Sequence, residues 1–224
     1  MAKNDQIDLD NFQFDQGQVT FCVKGRTPLL MNRMSEKAKN ELLLPTAAGK
    51  KKASGLPKHL PIQEFRGAAY QFKDTENMET QLAIPANMFK GAMANAALDI
   101  PGDINKSKVM RLVWVEGQLL ELYGTPFLHS AIVNEGKYPN VSKNIRFRPV
   151  VPEWACKVTV SFMEPNLNSK SVAKLLATAG IVAGVGDDRQ QKGHGNHGQF
   201  ELVNPDDADF QRIVAGQTKA TGTL

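Results

Sequence analysis

Two periodicities divide the chain into elements. Apolar residues alternate with polar ones in "QVTFCVKG", where Val19, Phe21 and Val23 oppose Thr20, Cys22 and Lys24. That period of two predicts a half-buried strand. "CKVTVSFME" repeats it with Val158, Val160 and Phe162 on one face, and "KNIRFRPVV" is a strand by the same rule. "RLVWVEGQLLELY", "FLHSAIVN" and "GQFELV" add further strands, although "GQLLELYG" also fits a helical turn. Helical spacing takes over in "TQLAIPANMFKGAMANAALDI". There Pro85 ends a short strand, Asn87 is placed to cap, and Met88, Phe89, Ala92, Met93, Ala96 and Ala97 form one stripe. "NSKSVAKLLATAGIVAG" is the second helix, capped by Asn168 or Ser169. It turns Val172, Leu175, Leu176 and Ala179 inward and Lys170 and Lys174 outward. "SEKAKNELLL" predicts a short helix capped by Ser35, and "IQEFRGAAYQFKD" follows neither period.

The order is strand, long excursion, helix, several strands, helix, glycine-rich loop, strand. Two helices on one face of an antiparallel sheet make an α+β sandwich, and the split β-α-β-β-α-β order is its RRM/ferredoxin-like form. Residues 1–16 read as a loose leader, 17–204 as the domain, and 205–224 as a polar tail. Inside the domain, "PTAAGKKKASGLPKHLP" has no period and reads as a basic insertion over about 45–61.

Composition narrows the class. With 224 residues the chain can bury one sizeable core. No apolar run reaches the roughly 18 residues of a membrane helix, and the acidic start "NDQIDLD" is not a signal peptide. Cys22 and Cys156 lie in strand-like, apolar surroundings and read as buried thiols, so a cytoplasmic protein is expected. Net charge is +4, with acids gathered near the ends and bases in "GKKKASGLPKH", "INKSKVMR" and "NIRFR". That segregation suits a polyanionic partner.

Candidate chemistry concentrates in "GVGDDRQQKGHGNHGQFEL". A dinucleotide fingerprint needs a strand before and a helix after, and here the order is reversed. A P-loop would need Gly-Lys-Ser/Thr opening a helix. His194 and His197 beside Asp187 and Asp188 lack the soft ligands of a structural zinc site, so neither metal nor cofactor is expected. Glycines that expose N–H groups, with cations between them, fit a phosphodiester chain. The residues expected to touch it are Gly184, Gly186, Arg189, Lys192, Gly193, His194 and Gly195. Lys90 and Gly91 within a helix's first turn form a second phosphate seat. Arg146 and Arg148 lie about 6.6 Å apart on one face of a strand, a pitch for successive phosphates, with Phe147 turned toward the core. Lys50, Lys51, Lys52 and Lys58 of the insertion would add contacts without sequence preference.

Three of these stretches resemble one family. "KGRTPLLMN" is similar to the opening turn, "IPANMFKGAM" to the helix motif, and "GVGDDRQQKGHGNHGQFEL" to the C-terminal glycine-rich loop of the RAMP superfamily of CRISPR-associated RNA-binding proteins. They cover about a fifth of the chain, in the family's order. The resemblance implies a modified RRM-type core and single-stranded RNA gripped along its backbone by repeated copies in a filament. It also implies a thumb-like role for the basic insertion and other effector-complex subunits as partners. A phage or mobile-element protein that coats single-stranded DNA is the alternative. A metal-independent endoribonuclease using His194 or His197 is the other. Because none of His59, His129, His194 and His197 sits in a legible general-base arrangement, a binding protein rather than an enzyme is expected.

Overall fold

The computed structural model describes residues 15–34, 59–72, 81–102, 104–135, 139, 141–192 and 195–216. In chain order the strands are β1 (Gln16–Gly25), β2 (Leu29–Leu30), β3 (Ala83–Pro85), β4 (Val113–Val115), β5 (Leu119–Tyr123), β6 (Phe127–Glu135), β7 (Ser142–Val151), β8 (Ala155–Met163) and β9 (Phe200–Val203). The helices are α1 (Pro61–Ala68), α2 (Ala86–Ala96), α3 (Lys106–Leu112), α4 (Ser169–Val182) and α5 (Ala208–Ala215).

The main sheet runs β3-β5-β8-β1-β9, with β4 also against β8. All its pairings are antiparallel, and β1 lies on β8 from Gln16↔Met163 to Lys24↔Ala155. Helix α2 follows β1 before β4 and β5, and α4 joins β8 to β9. This is the split β-α-β-β-α-β order, so the core is α+β and ferredoxin-like. Its second strand is broken into β4 and β5 around Gly117, at φ +82°.

One face of this sheet carries the core. Val23, Val158, Val160 and Phe162 project from it onto Phe89 and Met93 of α2 and Leu175 and Leu176 of α4, all fully buried. The ring of Phe89 meets Phe200 edge-on at 5.5 Å. Burying a phenylalanine of this kind contributes about 1.5–3 kcal/mol. Asn168 caps α4, its side chain accepting from Ser171 N at 2.9 Å. Helix α2 differs from expectation: Pro85, not Asn87, is the capping residue, and no side chain caps it.

The opposite face also has a cover at one end. The sequence read everything after Asn204 as polar tail, yet α5 lies within it and sets Phe210 and Ile213 on Cys22 and Ala155. Asp207 caps α5, accepting from Phe210 N at 2.8 Å. Lys24 Nζ binds the assembly to β1, 3.4 Å from Asp207 and 3.6 Å from Asp209. Both cysteines are buried free thiols.

A second sheet, β2-β7-β6, is built on the long hairpin β6-β7 between β5 and β8, to which β2 adds from the segment after β1. Helix α1 leans on β7, and His59 bonds Asn144 at 2.8 Å. The insertion of 45–61 lies outside the described residues up to 58, as does the Ser35 helix. Among the described residues no helix is long and apolar enough to cross a membrane.

Candidate nucleic-acid interface

The glycine-rich loop starts where α4 ends. Gly184 enters the left-handed region at φ +65° and returns its N–H to Ala179 O at 2.9 Å. Val185 then plunges into the core and pairs with Gly198 O at 2.9 Å. Gly186, at φ +83°, lies so close to β2 that a Cβ there would sit 2.7 Å from Leu30 O. Asp187 N binds that same carbonyl at 2.8 Å. Farther on, a Cβ at Gly195 would stand 1.6 Å from Asp188 O. These glycines let the loop close on its own backbone and on β2. The expectation that these glycines hold their N–H groups open to a phosphodiester chain is corrected on this point for Gly184, Gly186 and Gly195.

Charged groups brace the same loop. Asp187 Oδ2 accepts from Arg148 Nη1 at 2.6 Å and from Asn32 Nδ2 at 3.0 Å, joining loop, hairpin and the segment after β2. Arg148 is 6% exposed. Its expected presentation to phosphates beside Arg146 is therefore corrected: the two share a register face of β7, but only Arg146 is exposed. Phe147, expected in the core, is half-buried against His59 with ring centres 6.3 Å apart. Arg189 turns inward too, Nη1 donating to Gly186 O at 3.1 Å. Lys192 closes the short 3-10 turn Gln190–Lys192. Lys50, Lys51, Lys52, Lys58, Gly193 and His194 lie outside the described residues.

A histidine pair links loop and hairpin. His197 Nδ1 lies 2.9 Å from Asp188 Oδ2, and its ring meets that of His129 at 6.2 Å. Burial, then the charges of Arg148 and His197, hold the His129 pKa below its ordinary 6.5, against an opposing pull from Asp188. The unfolded chain thus takes up this proton before the folded one does. The stability that neutral His129 preserves is complete above about pH 6.5 and declines as pH falls toward the depressed folded value. Urea midpoints measured at descending pH should fall below 6.5, and His129→Gln should flatten that decline. An equally steep decline in the variant would assign it to other groups.

The second seat has a different character. Helix α2 begins without a side-chain cap and without an acidic residue in its first turn. A depression of about 400 Å³ opens beside it, lined by Asn87, Lys90, Trp114, Gly117 and Gln118 among others. Trp114 is 39% exposed. Lys90 is half-buried, and Gly91 follows it on the helix. A Cβ at Gly91 meets nothing within 4 Å, so its lack of a side chain has no reason inside the described fold. Trp114 was missing from the expected site residues. The signal was present, since alternation with the core residue Val113 and with Val115 turns Trp114 to the other face. Together these groups offer partial positive charge, a cation and an aromatic plate, the means to hold one phosphate and one base.

No family model matches the sequence, and no curated protein matches it. Among solved structures the chain is similar to Cmr6 from Pyrococcus furiosus. Identity is 12% and the TM-score 0.43, over 84% of this chain and 98% of that one.

Proposed function

We propose that this chain binds single-stranded nucleic acid along its phosphodiester backbone and polymerises on the strand. RNA held as a backbone subunit of a CRISPR-type complex is the first reading. The observation that carries binding is the seat at α2: an uncapped helix start, Lys90, the half-exposed indole of Trp114, and Gly91 open to solvent on the same helix. Ala86 N already donates to Gln118 O at 3.0 Å, so a phosphate set against the N–H groups of Asn87 and Met88 and against Lys90 leaves the adjoining base within the depression that Trp114 lines. Glycine inside a helix costs about 1 kcal/mol relative to alanine, and close approach of a strand supplies a reason to retain it. The order of the three family-like stretches supports RNA, and single-stranded DNA in a phage or mobile element is the alternative that the same seat would serve.

The test is anisotropy of labelled single-stranded RNA and DNA oligonucleotides over a salt series. Log affinity should fall linearly with log salt, by about 0.7 per phosphate neutralised. Trp114→Ala should weaken binding by the ~1–3 kcal/mol of one stacked base. Gly91→Ala should move two quantities in opposite directions. Fold stability rises by up to about 1 kcal/mol while affinity falls. A flat salt response, with both variants binding like the parent, would sink the reading. Cleavage of a labelled hairpin RNA by the purified chain would favour the endoribonuclease instead. Digesting co-purified nucleic acid separately with RNase and DNase decides between RNA and DNA.

A further inference from the structure

The main sheet leaves one of its central strands half-covered. β1 is ten residues long, but β9 pairs only with Cys22–Gly25. Past Val203 the chain turns off through Asn204 and Pro205 toward α5. Among the described residues no strand pairs with Gln16–Phe21 on the β9 side. The vacated lane opens on a depression of about 510 Å³ lined by Phe21, Leu202, Val203 and Asp206 among others. Phe21 and Leu202 are only half-buried, and Asp206 is exposed. Exposed Asp15 and Glu164 stand at the other end of β1, joined by a bond from Glu164 N to Asp15 O at 2.9 Å. The lane therefore opens on a mouth where Phe21 and Leu202 sit beside Asn204, Asp206 and Asp207, and it has acidic groups at both ends.

A strand suited to it lies at the far edge of the hairpin. β6 is the outer strand of its sheet, nine residues long, and its outer edge is unpaired among the described residues. Edge strands are ordinarily guarded by lysine, proline or an inward charge, and "FLHSAIVNE" carries no lysine and no proline. Instead it bears Leu128 at 44% and Ile132 at 72% exposure, with Ile145 across the ladder at 43%. Lys143 and Arg146 on the neighbouring strand make this hairpin basic where the lane is acidic.

We propose that β6 of one copy adds to the open Gln16–Phe21 edge of β1 in the next copy, in line with β9. Charge selects a second copy in this orientation, because basic hairpin meets acidic lane. Two hairpins joined β6 to β6 would instead bring two basic hairpins together with no acidic surface between them. Donor and acceptor are different surfaces, so the contact is heterologous and repeats head-to-tail. The inference rests on the strand-coating reading for its purpose, since it supplies the contact that polymerises.

Sedimentation of the nucleic-acid-free chain at rising concentration tests it. The parent should form species that grow beyond a dimer. Ile132→Asp on the donor should leave only monomer, and so should the Asp15→Lys, Asp206→Lys double variant on the acceptor. Mixed, these two should form a 1:1 dimer that grows no further, since each retains one intact surface. Both variants alter exposed side chains, and circular dichroism melts check that they fold. On a short oligonucleotide they should bind like the parent, losing only cooperativity on long strands. A parent that stays monomeric without nucleic acid and binds long strands without cooperativity overturns the proposal. So does a closed dimer abolished by Ile132→Asp but untouched by the acceptor changes. Failure of the parent to bind any short oligonucleotide overturns the proposed function alone, because sedimentation reads the contact without it.

Discussion

Gly198→Ala is expected to destabilise the chain by about 3–5 kcal/mol, through overpacking and a forced left-handed backbone. Gly198 sits at φ +74°, where a β-carbon crowds the following carbonyl. Space is the larger difficulty. The added carbon would lie 1.7 Å from Val185 O and 3.1 Å from Val185 N, both rigid backbone. Val185 is fully buried and its N–H donates to Gly198 O, so relief by retreat would pull a core side chain and a hydrogen bond with it. Gly198 N is also tied to Pro28 O at 2.8 Å, which closes the other way out. Urea unfolding reads the loss directly. A loop whose glycines only admitted a ligand would show unchanged stability and weaker binding. A Gly198→Ala chain within about 0.5 kcal/mol of the parent would contradict the packing described for this loop.

The regular elements were legible because their periods are set by the core. In β1 and β8 the residues Val23, Val158, Val160 and Phe162 face one set of helices, and alternation suffices to find them. Helix α2 shows its buried stripe for the same reason. The misses share a different cause. Helix α5 buries Phe210 and Ile213 out of eight residues, too short a stripe to stand out from acidic surroundings, and only Asp207 marked its start. Helix α3 buries Val109 alone and was read as a basic cluster, although Asn105 caps it by accepting from Lys108 N. Alternation placed Arg146 and Arg148 on one side of β7 correctly. It could not say that a loop 39 residues later would cover Arg148 and leave Arg146 exposed. Clustered glycines likewise report close backbone approach without reporting what approaches. At Gly186 and Gly195 the approaching group is the chain itself, and at Gly91 it is nothing within the described fold.

Asp187→Ala is expected to cost about 3 kcal/mol, because it strands a buried cation. The Arg148 side chain is 8% exposed and that of Asp187 17%, so little water reaches either group. Arg148 Nε already lacks a partner, and Nη1 would lose its carboxylate acceptor. Asn32 would lose its acceptor as well, loosening the segment after β2. Arg148→Met should be milder, since it removes the charge and keeps much of the apolar stem, and the carboxylate left behind is nearer to water. The double variant Asp187→Ala, Arg148→Met should recover part of the loss, giving a favourable coupling in a mutant cycle. The same pair decides what Arg148 does on a bound strand. A guanidinium that serves phosphate would be released by Asp187→Ala, and binding by the folded fraction would tighten with a steeper salt slope. A brace gives no such gain. The histidine supplies a second readout. With Arg148 replaced by Met, one of the charges holding the His129 proton off is gone, and its pKa should climb back toward 6.5. The acid limb of the stability profile should then become shallower. Unchanged stability in Asp187→Ala, with an unmoved acid limb in Arg148→Met, would mean that the loop and the hairpin are not joined through this ion pair.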